Sequence, residues 1–135
     1  MWMGGAISNR QINRLLRLGG NEMMHIEDME ANHLDILISE YNWDNGFHVP
    51  KMVIESKNCE LATAMRTFYL SDGYSYLLNN IHENTERFKF ISCLFERILT
   101  GHFSKGGLSF KIPLTKTQKY KLKKSNVPDV FLIDI

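Results

Sequence analysis

The sequence has no stretch that approaches the ~20 consecutive apolar residues of a membrane-spanning helix. The first residues, Met1 to Ala6, lack the basic flank and the long apolar region of a secretory leader. Cysteine is scarce: Cys59 and Cys93 stand far apart and form no Cys-x-x-Cys pair, so we expect two buried thiols and no redox or zinc site. These absences predict a cytoplasmic protein that does not use a membrane.

Enzyme motifs are incomplete. Residues 73–77 resemble a hydrolase nucleophile elbow but lack its last glycine, and residues 101–107 lack the Lys and Ser or Thr that follow the second glycine of a phosphate loop. His25, His48, His82 and His102 are scattered, so a catalytic pair of histidines could be assembled only by folding, which sequence spacing does not test; an enzyme with such a site is the third and least expected interpretation. We therefore predict a protein that is not an enzyme, with no catalytic residues, no metal and no cofactor.

Length and composition are those of one ordinary globular domain. The chain has 135 residues, of which 44% are hydrophobic and 23% are charged. Eight Phe, five Tyr and two Trp supply apolar area for a core without disulfides or metal. We expect residues 1–135 to form a single domain.

Helical periodicity and capping residues dominate the chain. The predicted elements are a first helix from Ser8 to the Gly19-Gly20 pair, an acidic helix from about Glu27 to Tyr41, a short helix near Pro50, a helix from Cys59 to Leu70 capped by Asn58, a weaker turn at Tyr74–Leu78, a helix capped by Asn84 and ended by Gly101, and a basic helix from Gln118 to Lys124. In the helix after Asn84, we expect Phe88, Ile91, Phe95 and Ile98 to be buried, with Leu94 on the same side. The pattern predicts a mainly α fold, an irregular array of five or six helices.

The last part of the chain has a different pattern of apolar and polar residues. Residues 108–112 alternate apolar and polar side chains before Pro113, which predicts a short extended or β segment near the C-terminus. The apolar end at residues 130–133 must dock somewhere to be covered. We therefore divide the domain into an N-terminal extension or helix (1–25), a helical core (26–101) and a basic C-terminal segment (102–135).

Charge is unevenly distributed although its total is only +1. Residues 21–60 contain nine acids and two lysines, a local charge of −7, whereas residues 101–126 contain seven lysines and no acid. A surface of one sign focuses a field that speeds the capture of a partner of the opposite sign. The acidic stretch therefore indicates a basic protein as partner.

Three stretches carry a resemblance to a known family. They are Tyr41-Asn42-Trp43-Asp44-Asn45-Gly46-Phe47-His48-Val49-Pro50, most of residues 58–74 including Asn58-Cys59-Glu60-Leu61 and Ser71-Asp72-Gly73-Tyr74, and most of residues 112–128 including Ile112-Pro113-Leu114-Thr115. Together they resemble the bacterial domain-of-unknown-function family 4274 over about residues 30–132, with residues 1–25 outside. The resemblance implies a domain and brings no activity or catalytic residue.

The leading hypothesis is a non-enzymatic binding protein: an immunity protein that neutralises a cognate bacterial toxin, with a nuclease as the expected target, by occluding its basic surface. The expected partner-binding residues lie on the acidic helix and the loop after it: Glu27, Glu30, Glu40, Tyr41, Trp43 and Asp44. The alternative is a nucleic-acid-binding module that uses the Lys-rich C-terminal segment. Because this segment has lysine and no arginine, nucleic acid is the less expected partner.

Overall fold

The computed structural model describes residues 26–135 and is mainly helical. Six α-helices and three 3₁₀ turns make up its regular structure. The helices are α1 (Ala31–Ser39), α2 (His48–Glu55), α3 (Leu61–Leu70), α4 (Gly73–Leu77), α5 (Glu86–Leu99) and α6 (Lys116–Lys124), and the turns are Ile26–Asp28, Trp43–Asn45 and Asp129–Phe131. The predicted mainly α fold is confirmed. The predicted first helix and extension within residues 1–25 lie outside the described residues.

The chain divides into two compact units, one that reaches to Cys59 and one that spans Glu60–Ile135. In the first unit, α1 packs against α2, and α2 packs against the turn Ile26–Asp28. The helix α1 buries Leu34, Leu37 and Ile38, which recur at the three- and four-residue spacing of one helix face. A single domain over residues 1–135 stays a prediction.

The second unit is built around the ring of Phe68. This fully buried residue of α3 has the ring of Phe131 at 5.0 Å and that of Tyr76 at 6.2 Å between centroids. The ring of Phe95 stacks on Phe131 at 4.7 Å. Phe131 and Leu132 are buried, so this part of the apolar C-terminal end docks as the sequence predicts, whereas Ile133 is 59% exposed.

The buried face of α5 agrees with the predicted one in part. Ile91, Leu94 and Ile98 are buried as expected, together with Phe90, whereas Phe88 and Phe95 are half-buried because they lie at the edge of this face. Cys93 is exposed. The expectation of two buried thiols therefore holds for Cys59 and is wrong for Cys93, which stands about 200° round the helix from Ile91.

Two predicted helix caps are wrong by one or two residues. The N-cap of α5 is Thr85, whose Oγ1 accepts a hydrogen bond from the Phe88 amide at 3.1 Å, and not Asn84. The N-cap of α3 is Glu60. Asn58 instead donates from Nδ2 to the Met29 carbonyl at 2.9 Å, which ties the start of α1 to the end of the first unit.

The predicted β segment is not found: residues 108–112 have no regular secondary structure, and the described residues contain no strand. The amides and carbonyls of Phe110 and Ile135 pair reciprocally, at 3.1 and 2.9 Å, as in an antiparallel ladder. The pairing stops there because the Ile112 amide donates to the Asp134 carboxylate at 2.8 Å and Pro113 has no amide hydrogen. The predicted alternation itself is present, with Ser109 and Lys111 exposed.

Candidate partner-binding surface

The turn after α1 is held by its own polar groups. The Tyr41 hydroxyl donates to the Gly46 carbonyl at 2.8 Å, and Asn42 Oδ1 accepts from the Asp44 amide at 3.0 Å. Gly46 ends the turn with φ +89°, a conformation that favours glycine. The segment therefore presents a defined shape and not a loose loop.

Three aromatic rings pack along this turn. Trp43 lies edge-on to Tyr41 with centroids 5.4 Å apart, and to Phe47 with centroids 6.1 Å apart. Tyr41 is 7% exposed, and burial raises the pKa of its hydroxyl. It has little surface to offer a partner and holds the turn in place, whereas Trp43 is half-buried and keeps part of its surface accessible.

The predicted acids occupy both ends of α1. Glu30 is the N-cap residue and is exposed, while Glu40 is the C-cap residue and is half-buried. The nine helical residues between them place these two positions about 15 Å apart along the helix axis. Glu27 belongs to the turn Ile26–Asp28, and its side chain lies outside what the structure describes.

Two negative contributions meet at the end of α1 that carries Glu40. The carbonyl end of a helix is itself partially negative, so it adds to the charge of Glu40, whereas the amide end partly offsets that of Glu30. Asp44 is exposed in the turn Trp43–Asn45, four residues further along. The structure thus brings Glu40, Trp43 and Asp44 into one short segment and leaves Glu30 a helix length away.

A family model described as a domain of unknown function, DUF4274, matches residues 29–98, half of the chain. The chain belongs to the DUF4274 family. The matched part includes α1 to α4, nearly all of α5 and the turn that carries Trp43, while the likeness proposed for residues 99–132 lies beyond it. The chain has no significant match among curated proteins or among solved structures.

Beyond the DUF4274 match, α6 carries a second candidate site that sequence reasoning found only in part. The helix begins with a capping box in which Thr115 and Gln118 bond to each other's backbone amides. The helix ends at Lys124; two residues later Asn126 has φ +66°, and the Val127 amide donates to the Leu122 carbonyl at 3.1 Å. This Schellman-type ending turns the chain back along the helix.

The reversal creates an open pocket of about 310 Å³ beside α6. Its lining residues come from one stripe of the helix and from the segment that follows: Lys116, Lys119, Tyr120, Lys123, Asp129, Leu132 and Ile133. The spacing of the first four residues, i, i+3, i+4 and i+7, was available as a sequence signal for a shared face. The other three residues could be added only once the chain reversal at Asn126 was known.

Within residues 26–135, no three His, Cys, Asp or Glu side chains form a group that could hold a metal ion. No helix in the same range is long and apolar enough to cross a membrane. The predictions of no metal and no cofactor remain predictions.

Proposed function

We propose that this DUF4274 protein is a non-enzymatic binding protein of the bacterial cytoplasm, most concretely an immunity protein that neutralises a cognate toxin. The observation that carries the proposal is the acidic surface of the first unit. Its described residues 26–59 contain seven acids and two lysines, and four of the acids are exposed: Asp28, Glu30, Asp44 and Glu55.

Occlusion explains how such a surface would neutralise a nuclease toxin. A nuclease binds the phosphates of its substrate through cationic side chains. An acidic protein competes for the same cations, and the long-range attraction between the opposite charges speeds their encounter. No chemistry by the immunity protein is required.

Trp43 supplies the second element of an interface. Protein interfaces depend on a few aromatic or arginine side chains that are well packed at the centre, with charged groups around them. Trp43 is held between Tyr41 and Phe47, so its ring is already ordered before a partner arrives. Asp44, the next residue, adds an exposed charge beside it.

The test is a charge reversal of Glu30, Glu40 and Asp44 to Lys. The partner to use is the polypeptide encoded by the reading frame adjacent to this gene. We expect the variant to keep its thermal midpoint within a few degrees, to associate at least about tenfold more slowly, and to lose protection of cells that express the toxin domain, because like charges at an interface repel.

The matched control reverses three exposed acids of the second unit, Glu83, Glu96 and Asp129, to Lys. This control changes the net charge by the same amount, so we expect it to keep protection. Full protection by a folded Glu30, Glu40 and Asp44 variant would eliminate the acidic surface as the binding site. Equal losses in both variants would show that only total charge matters.

A second candidate function, binding of single-stranded nucleic acid, is favoured by α6. Tyr120 is 62% exposed among lysines, an arrangement that suits base stacking with neutralisation of the backbone. Changing Lys119, Lys121, Lys123 and Lys124 to Glu should abolish any retention on RNA. We expect the unchanged protein to show no appreciable RNA binding at physiological salt, and micromolar, salt-sensitive binding would reverse the order of the two functions.

A further inference from the structure

We propose that the pocket beside α6 binds a mononucleotide, with its phosphates on the lysines of α6 and its base against Tyr120. The pocket belongs to the second unit, and the proposal does not depend on the acidic surface. Its volume of about 310 Å³ lies at the lower end of the range for small-molecule sites. That size suits one nucleotide better than a folded nucleic acid.

The lysine side of the pocket supplies the charge that a phosphate needs. Lys116, Lys119 and Lys123 all line it from a single helix face. The Lys119 ammonium is 3.9 Å from the Asp134 carboxylate, and this acid is half-exposed and also accepts the Ile112 amide. Asp134 therefore reduces the positive charge without cancelling it, since Lys116 and Lys123 remain.

The remaining wall suits the base and not the phosphate. Tyr120 is 62% exposed, and Ile133 is 59% exposed, so a phenol ring and an aliphatic side chain are both available to a flat apolar surface. Stacking on an aromatic side chain is tolerant of base identity because every base has a π face. The Lys124 ammonium lies over one face of the Tyr120 ring, 5.6 Å from its centroid.

Asp129 distinguishes a nucleotide from a bare phosphate. It lines the same pocket and is exposed at the start of its 3₁₀ turn. A carboxylate repels a polyphosphate but accepts a hydrogen bond from a ribose hydroxyl or from an exocyclic amine. A ligand with both a phosphate and a sugar or base therefore uses every side of the pocket.

The experiment titrates the full chain with ADP, adenosine, pyrophosphate and a short single-stranded oligoribonucleotide, followed by calorimetry and ligand-observed NMR. We expect ADP to bind with a dissociation constant of about 1 mM or lower, and adenosine and pyrophosphate each to bind more weakly. Tyr120→Ala should weaken ADP binding about tenfold, whereas Tyr120→Phe keeps the ring and should retain it.

A matched pair on the same helix separates the pocket from bulk charge. Lys123→Gln and Lys121→Gln remove the same charge from exposed positions, but only Lys123 lines the pocket. We expect Lys123→Gln to weaken ADP binding at least about fivefold and Lys121→Gln to leave it within about twofold. Asp129→Asn should weaken the binding of ADP and leave that of pyrophosphate unchanged or stronger.

Three results would overturn the proposal. The first is no ADP binding at millimolar concentration by protein with a normal thermal midpoint. The second is an equal loss in Lys121→Gln and Lys123→Gln, which would mean unspecific attraction. The third is binding of the oligoribonucleotide much tighter than that of ADP with dependence on Lys121, which would make α6 a face for polymeric nucleic acid.

Discussion

Gly73 shows how one residue can be assigned to the correct place for the wrong reason. The pair Asp72-Gly73, which follows the predicted helix end at Leu70, is typical of a turn in which glycine is favoured for its backbone conformation. In the structure the left-handed residue is Asp72, with φ +80°. Gly73 is needed for space instead, since a Cβ on it would lie 2.3 Å from Cδ2 of the Phe68 ring and 2.5 Å from the Phe68 carbonyl oxygen.

We therefore expect Gly73→Ala to destabilise the protein. The Cβ meets both a buried ring and a backbone oxygen, so the central aromatic ring or the backbone must move, at a cost of about 1–3 kcal/mol. Gly107→Ala is the control, because nothing lies within 4 Å of its added Cβ. Chemical denaturation of both variants is the measurement, and equal stabilities would show that the approach of Gly73 to Phe68 is not tight.

At the level of single helices, the N-terminus of α5 shows how well the preferences of N-cap residues predict the observed cap. Asn84 and Thr85 are both good N-cap residues, and Asn84 is the cap predicted from the sequence. In the structure the N-cap is Thr85, whose side chain accepts a hydrogen bond from the Phe88 amide. Thr85→Ala should lower the free energy of unfolding by about 1 kcal/mol.

Asn84→Ala is the comparison for that prediction. Asn84 is exposed and makes its hydrogen bond to His82 through its backbone amide, which the substitution keeps. We expect this variant to change the free energy of unfolding by less than about 0.5 kcal/mol. If urea denaturation shows a larger loss of unfolding free energy for Asn84→Ala than for Thr85→Ala, the N-cap is Asn84, as the sequence predicts.

The presence of the helices can be predicted from the sequence because it depends on local periodicity. The pairing of two extended segments cannot, because it depends on residues far apart in the chain. The period of 3.6 residues marks α1, α3 and α5. The alternation at residues 108–112 correctly predicts which side chains are exposed, but a strand also needs a partner. The partner of Phe110 is Ile135. Their one pair of backbone hydrogen bonds is not followed by a second, because the Ile112 amide donates to the carboxylate of Asp134 instead. Alternation in the sequence cannot reveal this arrangement.

For the molecule as a whole, charge is the part of the candidate sites that the sequence could predict. Counting acids is enough to find the acidic surface, and counting lysines is enough to find α6. Shape is the part that it could not predict. The burial of Tyr41 depends on its bond to Gly46, and the pocket beside α6 depends on the chain reversal at Asn126.

We expect the stability of the second unit at alkaline pH to depend on Tyr69. Its hydroxyl donates to the carbonyl of Phe131, and its ring lies against that of Phe68 at 5.2 Å between centroids. Burial raises the pKa of Tyr69 above its ordinary value of 10.0. The folded state therefore holds this proton more tightly than the unfolded chain does.

The sign of the pH dependence follows from that difference. Below pH 10 the hydroxyl is protonated in both states and its full contribution to stability is present, whereas above pH 10 the unfolded chain loses the proton first and stability falls by up to about 1.4 kcal/mol per pH unit. Tyr69→Phe should be less stable at neutral pH but should lose less stability between pH 10 and 11 than the unchanged protein. Tyr120→Phe, which removes a hydroxyl from an exposed position, is the control variant. Denaturation curves at several alkaline pH values measure all three slopes, and a slope in Tyr69→Phe as steep as that of the unchanged protein would assign the alkaline loss to other groups.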